Sequence, residues 1–136
     1  SDIITFMPEY VVQRLQIALK EKGIPLKKAK ILVIGVTYKK DIKDLRKSPS
    51  LDIINALQKR NVKVAYFDPL IPYLKLNNIN LSSIELTKDK LSKFDCMVIA
   101  TDHSSVNYGF ILKNSRFIFD TRNVYRGIKS TKVIRL

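Results

Sequence analysis

The fold is decided by one stretch of the chain, Gly35-Val36-Thr37-Tyr38-Lys39-Lys40-Asp41-Ile42-Lys43-Asp44-Leu45-Arg46-Lys47-Ser48-Pro49. It follows the apolar run 31–34 and leads into an amphipathic segment that begins at Ser48. This order predicts a buried strand, a basic loop and the N-terminus of a helix. Backbone N–H groups and cationic side chains then meet at the carboxyl end of a strand, where open α/β sheets bind phosphate-bearing ligands. The stretch therefore indicates both an α/β fold and a class of ligand.

Helical and strand patterns alternate along the rest of the chain. Apolar spacing predicts a first helix over 7–22, which Gly23 and Pro25 end. Ser48 is a suitable N-cap, with Pro49 at the first helical position, for a second helix that ends near residues 60–61. Such alternation is typical of a mainly parallel sheet with right-handed crossovers.

The other predicted elements follow from the same patterns. Strands are predicted over 30–35, 62–67, 95–100 and 116–120, with a short strand over 84–86, and short helices over 88–94 and 105–114. Residues 69–83 are predicted to be irregular, and the tail 123–136 is basic and weakly patterned. Because the first helix ends at a Gly-Ile-Pro break, we expect it to be a connector from an upstream segment.

Length and composition bound the class of protein. The 136 residues are 46% hydrophobic, which suits about one domain with its own core. The single cysteine, Cys96, excludes an internal disulfide and lies in an apolar run, so we predict a core residue in a reducing compartment. No run approaches the roughly 18–20 apolar residues of a membrane span, and no signal peptide is visible. We therefore expect a cytoplasmic protein that does not enter a membrane.

The charge raises a second possibility. The formal net charge is +13, from 25 Lys and Arg against 12 Asp and Glu, and such an imbalance attracts polyanions such as nucleic acid. The basic residues are scattered, however, and many fall on predicted polar helix faces. A solvated basic surface is the favoured interpretation, and a stand-alone module that binds nucleic acid is the alternative.

Polar residues follow three of the predicted strands, in the segments 38–40, 101–104 and 120–123. The carboxyl ends of parallel strands share one edge of a sheet, so we expect these segments to meet. Lys39 and Arg122 can neutralise a diphosphate there, and Tyr38 can stack against a base. His103 or Asp102 can hydrogen-bond a hydroxyl group.

Each of these residues also has an ordinary structural explanation. Lysines in loops are often only solvated, and Asp102 can cap the following helix. Asp44 and Arg46 can form a surface ion pair that contributes little to stability. His103 is the only histidine, and without neighbouring ligands in the sequence it predicts no metal site.

The dinucleotide-binding signature is missing from the first strand. That signature is G-x-G-x-x-G, whereas Gly35 stands alone here, so we predict no self-sufficient NAD site. Asp68 ends the second strand, as a ribose-binding acid does, but Asp68-Pro69 is also ordinary turn chemistry. Both interpretations of Asp68 stay open at this point.

The quoted stretch resembles a segment of the UDP-glucose/GDP-mannose dehydrogenase family, G-x-(A/T)-(F/Y)-K-x-(D/N)-x-x-D-x-R-x-S-P. Other segments resemble further motifs of the family in the same order: Met7-Pro8-Glu9-Tyr10-Val11-Val12, Phe67-Asp68-Pro69, Ala100-Thr101-Asp102-His103-Ser104 and Phe119-Asp120-Thr121-Arg122-Asn123. The Thr-Asp-His form is most similar to the branch that acts on UDP-N-acetylhexosamines. The resemblance covers residues 7–127.

The resemblance implies a Rossmann-like three-layer domain over 26–136 that binds a nucleotide sugar, with residues 1–25 as the end of the family's central helix and a linker. It implies an NAD-dependent oxidation of the sugar C6 alcohol to a carboxylate. Tyr38, Lys39 and Arg122 would bind the UDP-sugar, Arg122 in a site that another subunit completes, and Arg46 would reach NAD.

The same resemblance implies that parts of the enzyme lie outside this chain. The glycine motif of the N-terminal Rossmann domain, which binds most of the NAD, is missing, and Cys96 does not match the family's catalytic cysteine. We therefore expect no catalytic residue here and an inactive isolated chain, whose partners are the other domains of the same enzyme. A third, structural hypothesis is an oligomer interface on the first helix through Tyr10, Val11 and Leu15, as in a homodimer.

Overall fold

The structure is a computed structural model, and it describes residues 8–76 and 78–135. Helix α1 (Pro8–Glu21) comes first and is followed by a short 3-10 helix (Leu26–Lys28). The remaining elements are β1 (Lys30–Ile34), α2 (Pro49–Lys59), β2 (Lys63–Phe67), β3 (Tyr73–Leu76), β4 (Ile79–Ser82), α3 (Lys88–Leu91), β5 (Cys96–Ile99), α4 (Tyr108–Asn114), β6 (Ile118–Asp120) and β7 (Val133–Arg135). Met7, the predicted first residue of the first helix, lies outside the described residues.

Five strands form one parallel sheet in the order β2-β1-β5-β6-β7. Strand β1 therefore lies between β2 and β5, and all carboxyl ends lie along one edge. Side chains alternate between the two faces of the sheet along each strand, and helices cover both faces. Ile31 packs with α1 and α2, whereas Leu32 packs into the core that contains Leu91 of α3 and Ile111 of α4. The predicted three-layer α/β architecture is confirmed.

Helix α1 is part of the same core as the sheet. Its residues Val11, Leu15 and Leu19 are fully buried and pack with Ile53 and Leu57 of α2. Val11 and Leu15 are therefore not available to another chain, and the hypothesis of an interface through them is wrong. Tyr10 alone of the three predicted interface residues is exposed.

Helix α2 begins as the sequence predicts, but its N-cap residue acts differently. Ser48 is the N-cap residue and Pro49 the first helical position, yet the Ser48 side chain makes no hydrogen bond to the helix. Its hydroxyl group is buried and donates to the Val36 carbonyl over 2.7 Å. The serine therefore ties the start of α2 to the loop that follows β1.

Three segments differ from the sequence predictions. Residues 69–83 are not irregular, because β3 and β4 form an antiparallel hairpin whose buried residues Leu74 and Ile79 pack on Tyr66. Residues 84–86 form no strand, and only Ser83 makes an isolated bridge, to Tyr66. The tail contains β7, which adds to the sheet beside β6. An edge strand needs few apolar residues, so its pattern in the sequence is weak.

Candidate functional site

The predicted polar segments meet at the carboxyl edge of the sheet. The loop 35–47 follows β1, the segment 100–107 follows β5, and the loop 121–132 follows β6. Strand β5 separates β1 from β6, so Lys39 and Arg122 belong to loops that leave the sheet two strand spacings, or about 10 Å, apart. This edge is the candidate functional site.

A close contact between Gly35 and Thr101 joins the first two loops. Gly35 has a φ of +88°, and a Cβ atom there would lie 2.3 Å from the Thr101 carbonyl oxygen. The Thr101 hydroxyl group donates in turn to the Thr37 carbonyl over 2.7 Å. Thr101 therefore excludes a side chain at Gly35, and the turn after β1 packs directly against the segment after β5.

A buried pair, Asp68 and His103, lies beneath the first loop. The two side chains are almost fully buried, and Asp68 Oδ2 lies 2.9 Å from His103 Nε2. Asp68 Oδ2 also accepts from the Val36 N–H over 2.8 Å, and Oδ1 accepts from the Leu70 N–H. Because the Asp68 side chain is buried and both of its oxygens accept hydrogen bonds within the protein, Asp68 has a structural role and does not present a carboxylate for a ribose.

The hydrogen bonds of His103 define its tautomer. Nδ1 accepts from the Asp41 N–H over 2.8 Å, so the ring proton is on Nε2 and points to Asp68 Oδ2. Thr37 Oγ1 lies 3.2 Å from the same Nε2 and donates its own proton to the Lys39 carbonyl. Because both ring nitrogens are committed inside the protein, the prediction that His103 bonds a ligand hydroxyl is wrong.

Asp41 fastens the middle of the first loop to the segment after β5. Its carboxylate accepts from the Ser104 N–H over 2.8 Å and from the Ser104 hydroxyl group over 2.5 Å. The hydrogen bond from the Ser104 hydroxyl group is the main cause that lowers the pKa of Asp41 below its usual value. The loop is thus held at Asp41 by Ser104 and by His103.

Tyr38, Lys39, Ile42 and Asp44 line a small cavity of about 220 Å³ on the outer side of this loop. Tyr38 and Lys39 are exposed, and the Lys39 ammonium lies 5.8 Å from the centre of the Tyr38 ring. The Tyr38 N–H donates to the Asp44 carbonyl over 2.8 Å, which closes the loop. An aromatic ring and a cation therefore stand side by side at the mouth of the cavity.

Arg46 and Asp44 form the surface ion pair that the sequence predicts as one possibility. Arg46 Nε lies 3.1 Å from Asp44 Oδ1, and the Arg46 side chain is 89% exposed. The hydrogen bond from Arg46 lowers the pKa of Asp44. Arg46 is therefore a solvent-exposed side chain paired with Asp44, which lines the Tyr38 cavity.

Arg122 lies on the loop after β6 and is oriented by two backbone contacts. Its Nε donates to the Ala100 carbonyl over 2.9 Å, and its own N–H donates to Asp120 Oδ1 over 3.0 Å. The first contact holds the guanidinium group near the carboxyl end of β5, and the second holds the backbone of Arg122 beside β6. Asp102 does not cap helix α4, because the N-cap residue is Asn107, whose side-chain oxygen accepts from the Phe110 N–H.

The pairing of Asp68 with His103 and the hydrogen bonds of Asp41 are not predictable from local patterns in the sequence. The two residues of the pair lie 35 positions apart, and no local pattern connects them. The sequence contains one signal for the pair, because Asp68 follows β2 and His103, the only histidine, follows β5. Their adjacency follows only from the strand order.

Two other features, a metal site and a membrane-spanning helix, are absent from the described residues. In 8–76 and 78–135, no three histidine, cysteine, aspartate or glutamate side chains group as metal ligands. Over the same ranges, no helix is long and apolar enough to cross a membrane. Cys96 is fully buried in β5, and burial raises the pKa of its thiol, so it is a core residue as predicted.

A comparison of the sequence with models of known protein families identifies the family of this chain. A model of the UDP-glucose/GDP-mannose dehydrogenase family, UDP binding domain, matches residues 32–127. The chain therefore belongs to the UDP-glucose/GDP-mannose dehydrogenase family, and the matched residues are its UDP binding domain.

Individual relatives are dehydrogenases of UDP-sugars. The UDP-N-acetyl-D-mannosamine dehydrogenase of Methanococcus vannielii is 34% identical over 127 residues, which are 87% of this chain and 28% of that protein. The UDP-N-acetyl-D-glucosamine 6-dehydrogenase of Salmonella typhi is 29% identical over 97 residues, covering 71% of this chain and 23% of the relative. The chain thus spans less than a third of the length of these relatives.

Solved structures show the same fold. The UDP-D-ManNAc dehydrogenase of Pyrococcus horikoshii superposes with a TM-score of 0.72 at 27% identity, covering 94% of this chain and 29% of that one. The UDP-N-acetyl-mannosamine dehydrogenase of S. aureus superposes with a TM-score of 0.70 at 25% identity, covering 94% and 30%.

Proposed function

We propose that this chain supplies the UDP-binding part of an NAD-dependent UDP-sugar 6-dehydrogenase, in which a sugar C6 alcohol is oxidised to a carboxylate. Three relatives that each cover 87% of this chain are UDP-N-acetyl-D-mannosamine dehydrogenases, and they favour a UDP-N-acetylhexosamine, UDP-N-acetylmannosamine or UDP-N-acetylglucosamine, as the substrate. A UDP-glucose 6-dehydrogenase that covers 73% of the chain makes UDP-glucose the alternative. The observation that carries the proposal is the placement of Lys39 and Arg122 on loops at one sheet edge in a chain whose family domain binds UDP.

Each proposed site residue has a distinct task. Lys39 supplies a compact cation to the diphosphate, and Arg122 supplies a planar donor whose orientation is set by its bond to Ala100. Tyr38 supplies an exposed ring next to Lys39, on which a uracil base can stack. These residues bind and orient the substrate, and the proposal assigns them no part in the oxidation itself.

In the same proposal, this chain does not provide a complete NAD site by itself. The turn after β1 has a single glycine and lacks the G-x-G-x-x-G signature of a dinucleotide-binding turn. We propose that NAD is carried by another part of the full-length enzyme and that the exposed Arg46 contacts it. In the same proposal, residues 1–25 are the end of the family's central helix and its linker.

A calorimetric titration of the chain with UDP tests the proposal. Lys39→Ala and Arg122→Ala should each weaken UDP binding by about tenfold, since each removes one charged hydrogen-bond donor. Lys63→Ala is the matched control, because Lys63 is an exposed lysine that begins β2 at the opposite edge of the sheet. It removes the same charge and should leave UDP binding unchanged.

The same samples separate the proposal from the nucleic-acid alternative. A random DNA duplex is titrated at two salt concentrations, because binding driven by phosphate contacts falls steeply with salt. If the chain binds the duplex in a salt-sensitive manner and does not bind UDP, the carboxyl edge of the sheet binds polyanions and the proposed function is wrong. Equal losses of UDP affinity in Lys63→Ala and Lys39→Ala would show that only the net charge matters.

A further inference from the structure

One hydrogen-bonded route connects the loops that carry Lys39 and Arg122. These two residues lie on the loops after β1 and β6, and β5 lies between them. The route crosses this gap inside the protein, through His103 and two tyrosines, Tyr108 and Tyr125. The route contains the buried side chains of His103 and Tyr125 and the half-buried side chain of Tyr108.

The first half of the route runs through His103. Thr37 Oγ1 donates to the Lys39 carbonyl over 2.8 Å and lies 3.2 Å from His103 Nε2. On the other side of the ring, Nδ1 accepts from the Asp41 N–H over 2.8 Å. The imidazole thus holds the loop on both sides of Lys39.

The second half runs through Tyr108 and Tyr125. The Tyr108 hydroxyl group donates to the His103 carbonyl over 2.9 Å, and the Tyr125 hydroxyl group donates to the Tyr108 carbonyl over 2.8 Å. The Tyr125 N–H donates to Asp120 Oδ2 over 2.9 Å, and Asp120 Oδ1 accepts from the Arg122 N–H over 3.0 Å. The route therefore ends at the backbone of the second cation.

The rings of Tyr108 and Tyr125 contact each other, and both hydroxyl groups donate hydrogen bonds. Their rings meet edge to face at 86°, with centroids 6.4 Å apart. A tyrosine hydroxyl group is protonated at neutral pH, and burial raises the pKa of each of these two phenols further. Each can therefore donate the hydrogen bond that the route requires.

We propose that Tyr108 and Tyr125 are positioning residues, which act through His103 and Asp120 to set the distance between the loops of Lys39 and Arg122 to that of a nucleoside diphosphate. The proposal rests on the proposed function, since it assumes that both cations bind the same ligand. It predicts that the hydroxyl groups matter for a ligand that spans both loops. They matter less for a monophosphate, which engages fewer of these contacts.

Tyr108→Phe and Tyr125→Phe test this role, because each removes one hydroxyl group and keeps the ring. UDP affinity should fall by about three- to tenfold in each, the range expected for one lost hydrogen bond, whereas UMP affinity should fall by less than about twofold. Tyr10→Phe is the matched control. Its hydroxyl group bonds Arg14 on α1, away from the edge, so it also loses a hydrogen bond and should bind UDP like the wild type.

The unsubstituted chain provides an independent readout, because His103 is its only histidine. Its ring ¹⁵N resonances should shift on saturation with UDP and shift less with UMP, although the ring is buried and cannot contact the ligand. This measurement needs no variant to fold.

The outcomes separate the two proposals. UDP binding by wild type that is unchanged in both tyrosine variants overturns the positioning role and leaves the proposed function standing. Equal losses for UDP and UMP, or His103 resonances that do not move with UDP, also overturn it. If the wild type does not bind UDP, the proposed function fails and the positioning role fails with it.

Discussion

Gly35 shows how one residue determines the path of the backbone at the carboxyl edge of the sheet. Its φ of +88° and its contact with Thr101 together require the absence of a side chain. Gly127 has a similar φ of +78°, but no atom lies within 4 Å of a Cβ built there. A substitution at Gly127 therefore tests the backbone strain alone, whereas a substitution at Gly35 tests the strain together with the collision with Thr101.

We expect Gly35→Ala to cost more than about 4 kcal/mol of unfolding free energy, since a Cβ would collide with the Thr101 backbone. Gly127→Ala should cost only about 1–2 kcal/mol, the cost of a left-handed conformation for alanine. Urea unfolding followed by circular dichroism measures both. Similar costs for the two substitutions would show that the Thr101 contact is dispensable.

At the scale of elements, α1 is a structural layer of the domain. Its buried stripe lies against α2, and the residues on its outer side are exposed. Leu15 is fully buried, whereas Ile17, two positions later, is 58% exposed. Helix α1 therefore stabilises the domain by packing its buried residues into the core on one face of the sheet.

Leu15→Ala should lower the free energy of unfolding by roughly 2–5 kcal/mol, because it leaves a cavity between α1 and α2. Ile17→Ala removes a similar side chain from the exposed face and should stay within about 0.5 kcal/mol of the unsubstituted chain. Thermal and urea unfolding compare the two. A small effect of Leu15→Ala would mean that the rest of the domain is stable without α1.

At the scale of the whole molecule, the proposed function requires groups that bind the substrate and groups that oxidise it. In the described part of the chain, the one thiol is buried with a raised pKa, so it is not a nucleophile. The turn after β1 lacks the G-x-G-x-x-G signature of a dinucleotide-binding turn. Binding and oxidation are therefore expected to be divided between this chain and other parts of the enzyme.

The chain by itself should form no reduced NAD from UDP-N-acetylglucosamine or UDP-N-acetylmannosamine. The measurement is the absorbance of the reduced cofactor over time. The full-length Pyrococcus horikoshii UDP-D-ManNAc dehydrogenase serves as the positive control with the second of these sugars. Steady formation of reduced NAD by the chain would contradict the division of tasks.

The sequence predicted most of the parallel sheet, because each buried strand is a continuous apolar run between turn residues. It missed the hairpin 73–82 and the edge strand 133–135, where few residues are buried and the pattern is correspondingly weak. It also placed Lys39 and Arg122 at one edge correctly, since parallel strands end on the same side. The roles of these residues in binding stay a prediction.

The sequence by itself determined the alternation of strands and helices, the basic loop after β1 and the family to which these motifs point. Only the tertiary structure decided that Asp68 and His103 are buried partners, and that Tyr108 and Tyr125 link the two loops. The physical reason is distance along the chain. Periodicity and turn chemistry act over a few residues, whereas the bond from Asp41 to His103 joins positions 62 apart and forms only when β1 and β5 pair.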